Sequence, residues 1–254
     1  MSRPFIFFLL VVQASFFSAC HWNNDENIFT RPASLEQVSD IAPPQGYKRI
    51  SLQENSFGNW LRNVSLKKDN HVYLYNGSLK KNQSAQFAIL NITVGKKDLQ
   101  QCADAVMRLR AEYLFSQKRY TDIEFGDNLN RSYKWTGKDN RPDFARYLEN
   151  VFGWCGSASL EKQLKPVANV QEIQPGDVFI KGGFPGHAMI VIDVAVNDKG
   201  NKVFMLAQSY MPAQDIHIVK NPMNEKLNPW YEVNNAKHII TPEWRFFNDQ
   251  LRQW

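Results

Sequence analysis

The chain has 254 residues, of which 43% are hydrophobic, 13% aromatic and 22% charged, and its formal charge is +5. That composition excludes an intrinsically disordered or fibrous chain and supplies enough apolar side chain for the core of one large domain. The basic excess is small and spread along the sequence with no basic stripe, which argues against a nucleic-acid partner and for a solvated basic surface.

The first twenty residues, MSRPFIFFLLVVQASFFSAC, open on Arg3, carry an apolar run from Phe5 to Val12 and close on small residues before Cys20. The run is too short to span a bilayer and has the form of a secretory signal over residues 1–19. Phe17-Ser18-Ala19-Cys20 resembles a bacterial lipobox, with Phe17 where that motif usually has Leu. The resemblance implies acylation of Cys20 and an exported protein anchored by lipid to the bacterial cell envelope, at the outer membrane. The alternative is an ordinary cleaved signal with Cys20 in a tail. Residues 20–45 are polar, contain proline and lack periodicity, as a tether does. Residues 46–254 are expected to be a single α+β domain, with no other apolar stretch long enough to cross a membrane. With Cys20 acylated, Cys102 and Cys155 remain, either as a disulfide or as two thiols.

In HVYLYNGSLK, Asn76-Gly77 signals a tight hairpin, and QFAILNITV (86–94) reads as a strand. A helix follows, with Asp98 as the expected N-cap, Gln101 completing a capping box, and Leu99, Cys102, Ala103, Val106, Leu109 and Tyr113 at helical spacing. Pro142 opens a second helix bearing Phe144, Tyr147, Leu148 and Val151 on one face, and SLEKQLK suggests a short third. After Gln174-Pro175-Gly176-Asp177 the pattern turns to strands: DVFIK, HAMIVIDV, KVFMLAQSY and QDIHIV. Helices first and an antiparallel sheet later predict an α+β fold.

The stretch PGDVFIKGGFPGHAMIVIDVAVNDKGNKVFMLAQSYM resembles the C-terminal sheet of the papain-like cysteine amidases of bacterial cell walls, the CHAP and NlpC-type families. In those families a Gly-Asp turn opens one strand, a Gly-His pair opens the next, and a polar side chain on the following strand orients the histidine. Gly176-Asp177, Gly186-His187 and Gln208-Ser209 match that pattern over about 35 residues. Such an enzyme needs a thiol at the start of a helix packed on the sheet, and QQCADAVMRLR resembles the CHAP-type Gln-Cys helix. The resemblance implies a papain-like core in which Cys102 is the nucleophile, His187 moves the proton, Gln208 orients the ring and Gln101 or Gln100 donates to the oxyanion. The implied substrate is an amide in peptidoglycan peptides.

A second alignment places DFARYLENVFGWCGSASLEKQLKPV on the catalytic helix, where the nucleophile position falls near 140–143 and holds no cysteine. That alignment implies a lipoprotein that binds an envelope peptide or glycan without cutting it. Cys155 follows a helix instead of opening one, and Cys102 on an apolar stripe also fits an inert buried thiol. His217 is expected on the wet face of its strand, Asp193 on the same face as His187, and Asp104 with Arg108 as a surface pair. Trp60, Trp135, Trp154, Trp230 and Trp244 are candidates for a groove or for core. No histidine pair has ligand spacing with a carboxylate or thiol, so neither metal nor other cofactor is expected. LQQCADAVMRLRAEYL and LAQSYMPAQDIHIV also resemble a family of envelope lipoproteins of Gram-negative bacteria, which implies the anchor and the single domain but no activity.

Overall fold

The computed structural model describes residues 35–233 and 238–254. The expected signal and the Cys20 lipidation site lie outside the described residues. In chain order the strands and helices are β1 (Tyr47–Arg49), α1 (Phe57–Arg62), β2 (Gln86–Ile89), α2 (Cys102–Ser116), β3 (Glu124–Gly126), β4 (Ser132–Lys134), α3 (Arg141–Trp154) and α4 (Ser157–Gln163). There follow β5 (Lys165–Pro166), β6 (Val178–Lys181), β7 (His187–Asn197), β8 (Lys202–Gln208), β9 (His217–Val219), β10 (Tyr231–Glu232), β11 (His238–Ile240), β12 (Arg245–Phe247) and β13 (Leu251–Gln253).

The fold is α+β, built on a large antiparallel sheet of order β2-β9-β8-β7-β6-β13-β5. β7 is the spine. It pairs along one edge with β8 and along the other first with β6, then with β1. Its apolar run is buried on both sides, as a strand between two layers must be. One face carries Ala188, Ile190 and Ile192 towards the helices. The other carries Met189, Val191 and Val194 towards a second cluster with Phe204, Tyr231, Ile239 and Phe246.

A bulge between Val191 and Asp193 interrupts the β7–β8 register. It inserts one residue and inverts the alternation, so Ala195, an odd-numbered residue, joins even-numbered Ile190 and Ile192 on the helix side. Asp193 therefore does not share a face with His187, contrary to the simple even-spacing expectation. It is fully buried, 2.6 Å from both Arg49 and Arg62.

α2 lies against β7 at the centre of the helical layer. Ala103, Val106, Met107, Ala111 and Leu114 are buried nearly all round the helix, because sheet lies on one side and other helices on the rest. Its N-cap is Gln101, not Asp98. The side chain of Asp104 accepts the Gln101 backbone N–H at 3.0 Å, which makes Cys102 the first helical residue. Asp104 is buried in this cap and Arg108 pairs with Glu112 instead, so the expected Asp104–Arg108 surface pair does not form. α3 starts as expected, with Asn140 capping the Asp143 N–H and Pro142 in its first turn.

The last residues of the expected tether belong to the packed domain. Val38 and Ile41 are core residues, Arg49 donates to the Ile41 carbonyl at 2.7 Å, and Trp230 donates to the Ala42 carbonyl at 2.9 Å.

Candidate active site

The loop between β6 and β7 is shaped by glycine. A Cβ on Gly186 would lie 2.3 Å from the Gly183 carbonyl oxygen, 2.6 Å from Ser157 Oγ and 2.8 Å from the Lys181 carbonyl oxygen. Only glycine allows so close a turn, and the turn delivers His187 to the first position of β7. Across the sheet the last residue of β8 is Gln208. The Oε1 atom of Gln208 lies 2.8 Å from Nε2 of the His187 ring, and both side chains are buried.

The amide orientation is decided by its other end. Gln208 Nε2 lies 2.8 Å from Glu243 Oε2, and only a donor belongs opposite a carboxylate oxygen. Oε1 therefore faces His187, and the ring must donate to it from Nε2–H. Nδ1 is left with a lone pair.

His187 and Cys102 line one cavity of about 450 Å³, together with Gln101, Cys155, Phe184, Tyr210, Met211 and Trp244. The backbone N–H groups of Cys102 itself, of Ala103 and of Ala188, the residue directly after His187, act on the Cys102 thiol to favour its charged form. Burial pushes the thiol up to about 11, with the Asp104 charge adding to it and those N–H groups opposing it. Burial also drives His187 down to about 4, opposed by its bond to Gln208. At neutral pH the pair rests as thiol and neutral imidazole. Among the described residues no hydrogen bond joins the Cys102 thiol to the ring, and such bonds commonly tighten only once substrate is bound.

Gln101 lines the cavity, with its side-chain amide 3.1 Å from Asp98 Oδ1. Gln100, the alternative oxyanion donor, is buried outside the cavity lining, with its Oε1 turned to Arg108. Ser209 Oγ lies 2.9 Å from the Gln100 carbonyl oxygen, tying the end of β8 to the entrance of α2. Two helices open on the cavity: α2, through Gln101 and Cys102, and the short α4, through Gly156 and Ser157. α3 contributes only its far end, through Phe152 and Gly153, and the segment 140–143 named by the second alignment does not line the cavity. Cys102 and Cys155 are both free thiols in its wall.

Phe184, almost fully exposed, and half-exposed Met211 give the cavity mouth an apolar rim, and the Trp244 ring centroid lies 5.2 Å from that of His187. Of the other tryptophans, Trp135 and Trp230 are core, Trp154 is exposed, and Trp60 lines a separate groove with Arg108 and Glu112. His217 corrects its expectation: β9 is flanked by β2 and β8 within the sheet, and the ring is wholly buried, with Nε2 3.3 Å from Gln208 Nε2. Two site residues carry no local sequence signal. Glu243 sits in a turn closed by Thr241 and Trp244, and Lys80 reaches it at 2.6 Å from 163 residues away.

A family model described as a domain of unknown function (4846) matches residues 38–138 and 126–253. No curated protein and no solved structure matches the chain.

Proposed function

The chain belongs to the DUF4846 family, and we propose that it is a cysteine-dependent amide hydrolase with a papain-like core of the CHAP or NlpC type. We further propose that it is exported, held on the cell envelope through lipid on Cys20, and directed at amides of peptidoglycan peptides. The observation that carries the catalytic reading is the orientation of His187: the Gln208 carbonyl oxygen accepts a hydrogen bond from Nε2–H, and the basic Nδ1 remains on a ring that shares its cavity with a helix-opening thiol.

In this mechanism Nδ1 of His187 takes the thiol proton as the Cys102 sulfur bonds to the amide carbonyl carbon. The resulting oxyanion is met by N–H groups at the start of α2 and by the Gln101 amide. Collapse breaks the C–N bond, and the departing amine takes the proton from His187. A water molecule, deprotonated by His187, then attacks the thioester, releasing the acid and restoring the thiol. Because thiol and imidazole rest neutral, the proton moves during attack instead of beforehand.

That same neutrality favours a second reading. A thiol pushed up to about 11 is a poor nucleophile until a base engages it, and a lipoprotein that binds an envelope peptide or glycan in this cavity would need no more. Soluble wild-type protein incubated with purified peptidoglycan fragments, followed by mass spectrometry of the products, separates the two. New amine and carboxyl ends that vanish in Cys102→Ala support hydrolysis. Fragments that stay intact yet bind equally to wild type and Cys102→Ala establish the binding protein.

A further inference from the structure

The catalytic reading leaves two charged side chains behind Gln208 without a task. Lys80 and Glu243 are both largely withdrawn from solvent and 2.6 Å apart. Glu243 Oε2 also accepts from Gln208 Nε2 at 2.8 Å, and its Oε1 lies 3.3 Å from Asn82 Nδ2. We propose that Glu243, braced by Lys80, is a positioning residue that holds the Gln208 amide in one orientation and so fixes the tautomer of His187. The importance of that tautomer rests on the hydrolase reading, whereas the positioning itself can be measured without a substrate.

An amide side chain is nearly symmetric in shape, so packing alone does not choose which end faces His187. The partners choose. The His217 Nδ1 atom lies 2.9 Å from the Asp215 carbonyl oxygen, which can only accept, so the proton is on Nδ1 and Nε2 keeps a lone pair. The two Gln208 N–H bonds then have two acceptors, Glu243 Oε2 and His217 Nε2. Turned over, Gln208 would set its carbonyl against a carboxylate and against a ring lone pair. Without Glu243 the acceptor left at that end, among the described residues, is the longer contact to His217.

The bracing charge has its own role. The Lys80–Glu243 pair and His217 reach the His187 ring through Gln208, the Tyr210 ring centroid lies 4.9 Å from that of His187, Cys102 lies in the wall of the same cavity, and the Lys67–Asp215 pair lies beyond His217. A lone carboxylate would favour the imidazolium and a lone ammonium would oppose it. Of the pair it is the ammonium that weighs on the ring, adding to burial in holding His187 neutral, while the carboxylate orients Gln208.

The test uses the soluble chain with 15N-labelled histidine, and the His187 imidazole signals are assigned by their loss in His187→Gln. The expected wild-type result is a proton on Nε2. Glu243→Leu should move it to Nδ1 or leave both tautomers populated. Glu243→Gln, which keeps an acceptor at the same place, should retain Nε2–H. A wild-type ring protonated on Nδ1 would overturn the proposal, as would a Leu variant unchanged from wild type or a Gln variant that shifts like the Leu variant. If the Leu variant does not fold, Glu243→Met, which also removes the acceptor, takes its place with the same two outcomes. A wild type with the expected tautomer that cleaves nothing would sink the hydrolase reading and leave Glu243 in its role.

Discussion

Asp193 and His187 are polar, buried and six residues apart on β7, yet the protein treats them in opposite ways. Asp193 is closed: Arg49 and Arg62 take its two oxygens, and Arg62 also donates to the Ile50 carbonyl. Among the described residues His187 has one ring partner, at Nε2, and its other nitrogen is unclaimed on a ring that lines a cavity. The first arrangement spends charge on holding β1, α1 and β7 together. The second keeps a lone pair available, and that availability separates a site from a staple.

Substitutions should break this contrast in opposite directions. Cys102→Ala is expected to cut amide hydrolysis by about 10³-fold or more while leaving the denaturation midpoint nearly unchanged, because the thiol faces a cavity. Asp193→Ala should do the reverse. Two arginines left without a counter-charge should cost about 3–5 kcal/mol in urea unfolding, and a loss under about 1 kcal/mol would show that the cluster does not hold the helices to the sheet.

Acid should find the His187 side first. The folded-state values of His187 and His217 are depressed to about 4 and about 3, chiefly by burial, whereas the unfolded chain protonates near the ordinary 6.5. The stability that these neutral rings provide is therefore fully present above about pH 6.5 and is lost as pH falls towards 4, by about 3 kcal/mol for each ring. Urea midpoints measured from pH 7 to pH 4 should show the decline, and His217→Gln should flatten it. Hydrolysis should follow the same group, with kcat/KM rising as pH passes about 4. Smallest is Gly186→Ala, where the new methyl meets two carbonyl oxygens and should cost about 1–3 kcal/mol, read as a lower melting temperature with a misplaced His187.

What the sequence made legible were features written locally. The Gly-His pair, the helix carrying Cys102 and the strand ending in Gln208 each announce themselves within a few residues, through turn chemistry and periodicity. The bulge after Val191 did not, because an extra residue in a uniformly apolar strand leaves no mark on the hydrophobic pattern, and it reversed the side on which Asp193 was expected. His217 looked wet because an alternating Ile-His-Ile run cannot report that both faces of its strand are covered. Asp98 resembled a cap, but Gln101 is the N-cap, its backbone N–H held by the buried Asp104 one turn on. Lys80 and Glu243, like Arg49 with Asp193, are pairings across more than a hundred residues that only the sheet order brings together.

β13 lies between β6 and β5, pairing with both, so the penultimate stretch of the sequence is an interior strand of the sheet. Trp254 adds to this closure, with the Arg110 guanidinium 5.1 Å from its ring and Phe125 packed against its edge. A chain that stops before Leu251 leaves β6 with a bare row of N–H and C=O groups beside the loop that carries His187. Completion of the sheet thus waits for residues 251–253. During synthesis or after a C-terminal clip, the hazard to this protein is edge-to-edge association through β6.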